Sequence, residues 1–303
     1  MFSPRKRYTV PLPIRAGWLK GGQGMGRELL LGHRTLVMGV LNVTPDSFAD
    51  GGVRFDTARA TEDGFRMLEE GADIIDVGGE STRPGAEPVS VEEERRRVLP
   101  VIERLAARPD VIVSVDTYKA VIAREAVALG AAIVNDVSAL QYDPEMAGAI
   151  AASGAAVVLM HNRGRSRDMY READYRDVAG EIVSELDSAL SRAMAAGIPR
   201  DAILLDPGLG FAKKAEHSFD ALACLDRLVW LDRPIVSGPS RKSFLNAALG
   251  DVGPGDREWG TAAAVAVSIV LGAHVVRVHG IKQMAEVARV VDRLRESAER
   301  SSG

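Results

Sequence analysis

The chain has 303 residues, 46% of them hydrophobic and 26% charged, with a net charge of −4 and a single cysteine. That length holds one barrel-sized domain or two smaller ones, and the acidic balance excludes nucleic acid as the main partner, since a phosphate backbone needs a net basic face. The lone Cys224 excludes an internal disulfide; it sits in an apolar helical pattern, reads as a buried inert thiol and fits a reducing compartment.

The first residues, MFSPRKRYTV, are basic but no apolar core comes after them, and no apolar run approaches the ~20 residues that span a bilayer. The expectation is a soluble, cytoplasmic protein without membrane contact. Residues 1–34 form an N-terminal extension. Within it WLKGGQGMGRELLLGHR reads as a hairpin that plugs the bottom of the domain beginning at residue 35, its glycines fitting a mobile arm equally well.

From residue 35 a single rhythm takes over. The stretches EEGADIIDVGG, ALGAAIVNDVS, ASGAAVVLMH and VLGAHVVRVH each end a helical pattern on glycine and then run into a short β-branched segment. Glycine suits the left-handed residue just past a helix C-terminus, and continuous apolar runs suit strands covered on both faces. Strands are predicted at 35–43, 72–78, 110–117, 131–137, 155–161, 202–207, 233–238 and 274–279. Helices are predicted at 56–70, 91–107, 118–129, 143–153, 177–196, 218–231, 260–272 and 281–299, the second opened by a capping box from Ser90 to Glu93. Eight alternations match an α/β fold of the (β/α)8 TIM-barrel type, one domain over 35–300, better than an open doubly wound sheet. No G-x-G-x-x-G follows the first strand.

Chemistry in such a barrel collects at the C-terminal strand ends. Read in order, those ends carry Asn42, Glu80 to Arg83, Asp116, Asn135 and Asp136, His161, Asp206, Ser240 to Lys242, and Arg277 with His279. Any one of them suits a helix cap, but eight polar ends together point to a polar ligand, because burying them unpaired costs a few kcal/mol each. Arg83, Arg241, Lys242, Arg277 and His279 supply cations or donors for an anion, mostly from the last two strands, where barrels hold phosphate. Asp116, Asn135 and Asp206 form a second group suited to a heterocycle with an N–C–NH2 edge, which pairs with a carboxylate through two parallel hydrogen bonds. No zinc-type His/Cys spacing is present. Magnesium, which keeps waters and borrows substrate oxygens, asks only for a modest donor such as Asn42 or Asp46.

The blocks MGVLNVTPDSFADGG, GGESTRPGA, SVDT, IVNDVS, LDPGLGF, GPSRKS and VRVH, in that order, resemble the dihydropteroate synthases, a pterin-binding barrel family. The resemblance spans nearly all of the chain from residue 35. It implies condensation of 6-hydroxymethyl-7,8-dihydropterin pyrophosphate with p-aminobenzoate, with Mg2+ as cofactor. It also implies roles. Asn42 contacts magnesium and pyrophosphate; Asp46 and Phe48 lie on a first mobile loop; Thr82, Arg83 and Pro84 lie on a second, Arg83 near pyrophosphate and the other two near p-aminobenzoate. Asp116, Asn135, Asp206 and Lys242 hold the pterin, Phe211 and Ser240 shape the p-aminobenzoate pocket, and Arg277 with His279 binds pyrophosphate. Three features depart from the family pattern: Gly280 where aspartate is expected, Leu209 where an aromatic is common, and a loop with arginines at 163, 165, 167 and 171 that reads as a solvated charge run.

Three rivals remain open from sequence. They are methyl transfer from a folate to a corrinoid protein on the same fold, a Schiff-base aldolase using Lys242, and a non-catalytic pterin binder. The helix near 261–272 (TAAAVAVSIVLG) is apolar nearly all round, which together with the resemblance predicts a homodimer through it.

Overall fold

The protein is described by a computed structural model covering residues 2–13, 27–44, 53–81, 85–165, 170–171 and 173–302. Strands β1 (Tyr8–Leu12) and β2 (Arg27–Leu31) pair antiparallel. Eight parallel strands come next: β3 (Leu36–Asn42), β4 (Ile74–Gly78), β5 (Ile112–Asp116), β6 (Ile133–Asp136), β7 (Ala156–Met160), β8 (Ile203–Asp206), β9 (Val236–Ser237) and β10 (Val275–Val278). They lie in the order β8-β7-β6-β5-β4-β3-β10-β9. A parallel bridge between Leu205 and Ile235 joins the two ends, with the Leu205 N–H donating to the Pro234 carbonyl at 2.9 Å. The predicted (β/α)8 barrel is the observed architecture.

Helices α1 (Val53–Glu69), α2 (Val91–Ala106), α3 (Ala120–Ala128), α4 (Met146–Ser153), α5 (Val178–Ala195), α6 (Ala215–Ala223), α7 (Asn246–Leu249), α8 (Glu258–Val270) and α9 (Ile281–Ser302) connect and close the unit. The four punctuating glycines all take left-handed backbone: Gly71 (φ 110°), Gly130 (113°), Gly154 (68°) and Gly272 (102°). No other residue ends a helix in that way without strain. Ser90 Oγ accepts from the Glu93 N–H, as the capping box requires. The helix predicted over 218–231 is two pieces, α6 and a 3₁₀ segment Leu225–Leu231. Leu225, Leu228 and Leu231 are its buried residues, a spacing of three that only the tighter winding keeps on one face. The break falls at Cys224, which is half-buried rather than sealed in a core.

Period two along each strand sorts the interior into layers. Outward residues such as Val37, Ile75, Val113, Val134, Val157 and Val276 pack beneath the helices. Inward residues at the N-terminal end are aliphatic: Leu36, Met38, Ile74, Ile133, Leu204 and Val275 join Val10, Leu12, Leu29 and Leu31 of the β1–β2 ribbon in one cluster. The ribbon therefore packs under the barrel, with its first arm upstream of the stretch from Trp18 in which the hairpin is expected. Inward residues two steps further up are polar, and this gradient positions the site. Among the described residues no helix is long and apolar enough to cross a membrane.

Candidate active site

Asp116, Asn135, Asp206, Lys242 and Arg277 line one cleft at the C-terminal mouth, together with Val137, Met160, Leu209, Phe211 and Gly238. It encloses about 320 Å³ of empty space, part of it open to solvent. Register explains the convergence: Asp116 pairs with Gly78 on one side and Asn135 on the other, and Met160 with Asp206. Asn42 ends β3 opposite Gly78, half-buried at the rim.

The floor is an ion-pair knot not foreseen from sequence. Arg277 Nε donates to Asp76 Oδ2 at 2.7 Å and its Nη2 to Asp116 Oδ2 at 2.6 Å. Asn135 Nδ2 donates to the same Asp76 oxygen at 2.9 Å. Asp76 is fully buried, and its Oδ1 has no hydrogen-bond partner. The separate cationic and acidic groups expected from sequence thus share a boundary, with Arg277 holding two carboxylates of the heterocycle side. Burial pushes the Asp116 carboxyl up to about 7 against the pull of Arg277, with Asp76 adding to the rise. A signal for Asp76 is present in the sequence: two residues before Gly78, it has the inward parity of Asp116.

The β8–α6 loop carries the second group. Asp206 is 5% exposed, and its Oδ1 accepts from the Gly208 N–H at 2.7 Å. Burial raises its pKa, opposed by that hydrogen bond and by Lys242. The Lys242 ammonium lies 3.7 Å from the Phe211 ring centroid, a cation–π contact. Burial and Arg277 push Lys242 down to about 7. Left-handed Gly210 lets this loop approach, since a Cβ there would stand 3.2 Å from Lys242 Cδ. Leu209, where an aromatic is expected, is buried in the cleft lining.

After β9, Ser240 Oγ lies 3.0 Å from His279 Nδ1 and accepts from the His279 N–H at 3.2 Å. Arg241 takes left-handed backbone (φ 57°) and donates Nε to Glu258 Oε2 at 3.1 Å. At Gly280 a Cβ would fall 1.9 Å from Glu258 Oε1, so the carboxylate end of that side chain would have to turn aside. The Glu258 carboxylate occupies the space that an aspartate would need.

Three polar strand ends serve the scaffold. Asp136 caps the turn through Ser138 N, Ser138 Oγ and Leu140 N. Glu80 accepts from Tyr118 OH, Lys119 Nζ and Val89 N, bracing both ends of the loop between them. His161 is held between Glu185 and Lys213. In the arginine loop Arg163 is tied down, while Arg165 and Arg171 are exposed as a solvated run would leave them. Arg163 binds Glu181 and Glu185 and stacks on Tyr175 at 4.0 Å, and Arg165 lies 4.6 Å over Tyr142. Lys213, buried below the loop, gives no signal in sequence, where a second lysine beside Lys214 reads as solvated. Asp46, Phe48, Thr82, Arg83 and Pro84 lie outside the described residues, as does Arg167.

A family profile described as "Pterin binding enzyme" matches residues 38–279. The chain is 43% identical over 263 residues to a dihydropteroate synthase of Synechocystis sp., covering 87% of this chain and 91% of that one. It superposes on Xanthomonas albilineans dihydropteroate synthase with 4-aminobenzoic acid at a TM-score of 0.84 and 41% identity, covering 94% and 98% of the two chains. The same organism's enzyme in complex with 7,8-dihydropteroate gives a TM-score of 0.78 at 39% identity, covering 88% and 96%. With the barrel, the polar mouth and these matches in agreement, this chain belongs to the pterin-binding enzyme family, alongside the dihydropteroate synthases it resembles.

Proposed function

We propose that the protein condenses 6-hydroxymethyl-7,8-dihydropterin pyrophosphate with p-aminobenzoate, giving 7,8-dihydropteroate and pyrophosphate. The observation that carries this is the convergence of Asp116, Asn135, Asp206, Lys242 and Arg277 on one cleft in a chain 43% identical to such enzymes. Asp116, Asn135 and Asp206 receive the N–H donors of the pterin edge, and Lys242 donates to its acceptor side while covering Phe211. His279 and Arg277, with Arg83 from the second loop, face the diphosphate, and Ser240, hydrogen-bonded to His279, borders the p-aminobenzoate pocket.

The reaction breaks the CH2–O bond and leaves an electron-poor methylene that the pterin ring stabilises. The p-aminobenzoate amine, neutral at pH 7, attacks it and then loses a proton to water. Little covalent help is required of the protein. It must hold the ring, meet the charge on the leaving group with fixed donors, and exclude water. The donor that would serve Mg2+ is Asn42, half-buried at the end of β3, whose amide oxygen is a hard donor of the kind that magnesium takes alongside phosphate oxygens. When bound, the ion neutralises charge on the diphosphate. Among the described residues no cluster of three His, Cys, Asp or Glu side chains is placed to hold a metal ion. A methyl transfer to a corrinoid makes no use of the Ser240–His279–Arg277 set.

Coupled measurement of pyrophosphate release with and without p-aminobenzoate tests the proposal. Release that is indifferent to the amine refutes it. The first loop is the lid of this scheme, with Asn42 at its root. Phe48→Ala and Asp46→Ala are expected to spare pterin binding and lower turnover, and unchanged turnover at saturating substrates in both variants rejects the lid.

The homodimer is likewise a proposal. Helix α8 buries Thr261, Ala264, Val265, Ser268 and Ile269 against the barrel. It leaves Trp259 87% and Val267 42% exposed, with Val290 and Leu294 of α9 also exposed. Exposed large apolar side chains on two helices packed together are what an interface would cover. Val267→Asp is expected to shift light-scattering mass from dimer to monomer at micromolar concentration, and a wild type already monomeric there refutes the dimer. The single cysteine suits a reducing compartment, and we place the reaction in the cytoplasm.

A further inference from the structure

Lys213 is among the largest fully buried side chains, 1% exposed, and the proposed reaction gives it no task. Its Nζ has three acceptors in reach: His161 Nδ1 at 2.8 Å, the Phe211 carbonyl at 3.0 Å and, at the edge of range, the His161 carbonyl at 3.5 Å. Three acceptors match the three hydrogens of an ammonium, one more than a neutral amine offers. Because His161 accepts at Nδ1, its proton sits on Nε2 and is donated to Glu185 Oε2 at 3.0 Å. Burial, with Lys213 beside it, keeps the imidazole neutral, its pKa pushed down to about 4. Glu185 is held in turn by Arg163, which also donates to Glu181 at 2.6 Å. The four residues form one chain of partners from the face of α5 to the underside of the β8–α6 loop.

That loop carries the pterin-facing groups and is tightly seated on this chain. A Cβ on Gly208 would stand 1.9 Å from the His161 carbonyl oxygen and 3.4 Å from Lys213 Nζ. The Gly208 N–H orients Asp206, and Lys213 Nζ holds the Phe211 carbonyl. Ala212, left-handed at φ 45°, is pinned by Tyr175 OH at 3.0 Å. Asp206 therefore has two lysines in its field, Lys242 across the cleft and Lys213 below.

We propose that Lys213 is a positioning residue for the pterin site: its ammonium, seated through His161 on Glu185 and Arg163, fixes the Asp206–Phe211 loop against which the pterin lies. The inference rests on the pterin reading of that cleft. Burial pushes Lys213 down to about 7; Asp206 and Glu185 oppose that, while Arg163 and Lys242 add to it. Tyr175 lies 6.0 Å from Nζ with His217 edge-on to it. Removing the Glu185 charge makes the ammonium release its proton at lower pH.

The test is calorimetric binding of 6-hydroxymethyl-7,8-dihydropterin from pH 6 to 9, with thermal melts as a folding control. Lys213→Met is expected to fold and to bind roughly 10- to 100-fold more weakly, the span of one hydrogen bond to a charged group. Glu185→Gln, at a partly exposed position, is expected to bind like wild type at pH 6 and to lose affinity on the alkaline side at lower pH than wild type. A folded Lys213→Met with wild-type affinity overturns the assignment. So does a Glu185→Gln profile that superposes on wild type or drops uniformly, and that variant decides the matter if Lys213→Met does not fold. Wild type failing to bind the pterin sinks the functional proposal itself, and this inference with it.

Discussion

Arg277→Met is expected to abolish turnover and to lower the thermal midpoint by on the order of 10 °C. The guanidinium holds Asp76 and Asp116 at 2.7 and 2.6 Å, with Asp76 fully buried. Removing one partner of a buried pair costs about 3–5 kcal/mol, since the other charge stays unpaired, and each kcal/mol moves the midpoint by a few degrees in a chain of this size. The loss depends on pH. Burial raises the folded-state pKa of Asp116 to about 7, above its unfolded value near 3.9. Between those values the folded state binds more protons, so the stability from this group is present at low pH and is lost as pH rises through about 7. Without Arg277 the carboxyl rises further. The deficit should be smaller near pH 5 than near pH 8, by the share that Asp116 contributes, while Asp76 loses its partner at both. Melts followed by circular dichroism at both values read this directly. An equal drop at the two pH values removes the Arg277–Asp116 pair as the source of the pH dependence, and no drop at either removes the ion-pair knot as the cause.

Asp206→Asn separates binding from stability in the opposite sense. The amide oxygen of the new side chain must face the Gly208 N–H that now donates to Asp206 Oδ1. Its NH2 then points into the cleft, where the pterin also presents donors. Donor against donor replaces a charged hydrogen bond, at a cost of about 3 kcal/mol or roughly 100-fold in pterin affinity. Stability should hold or improve on the alkaline side, because burial disfavours the ionised carboxylate that wild type must carry there. A variant that binds pterin as wild type does, by calorimetry, dismisses Asp206 as a pterin ligand. One that binds weakly and also melts several degrees lower assigns Asp206 to the scaffold instead.

These two residues also show how far the chain can be read without its structure. Asp206 ends a four-residue apolar strand and precedes glycines, a local pattern that announces a strand end in a barrel. Arg277 is equally visible, but its partner is not. Phosphate is its natural companion by position, and the structure gives it Asp76 and Asp116 instead, 201 and 161 residues away in the chain. The 3₁₀ segment Leu225–Leu231 reads as continuous helix because two apolar residues three apart fit either winding, and only the burial of the third leucine on the same face selects the tighter one. Arg163 looks like a solvated charge because its acceptors, Glu181 and Glu185, lie a full loop later, on α5.

What the chain determined by itself is local in origin. Left-handed glycines past the helix ends, β-branched runs and polar strand ends are set by backbone sterics and by period within a few residues, and these suffice for eight βα units and a polar mouth. Tertiary structure decided the partners. Closing the barrel between Leu205 and Ile235 turns alternate residues into one interior layer, and a charge buried there must be satisfied by whatever side chain the ring brings opposite. That is why Asp76 shares Arg277 with Asp116, why Lys213 sits on His161, and why Glu258 holds the space beside Gly280. In each case desolvation sets the need for a partner, and only the closed ring selects which one.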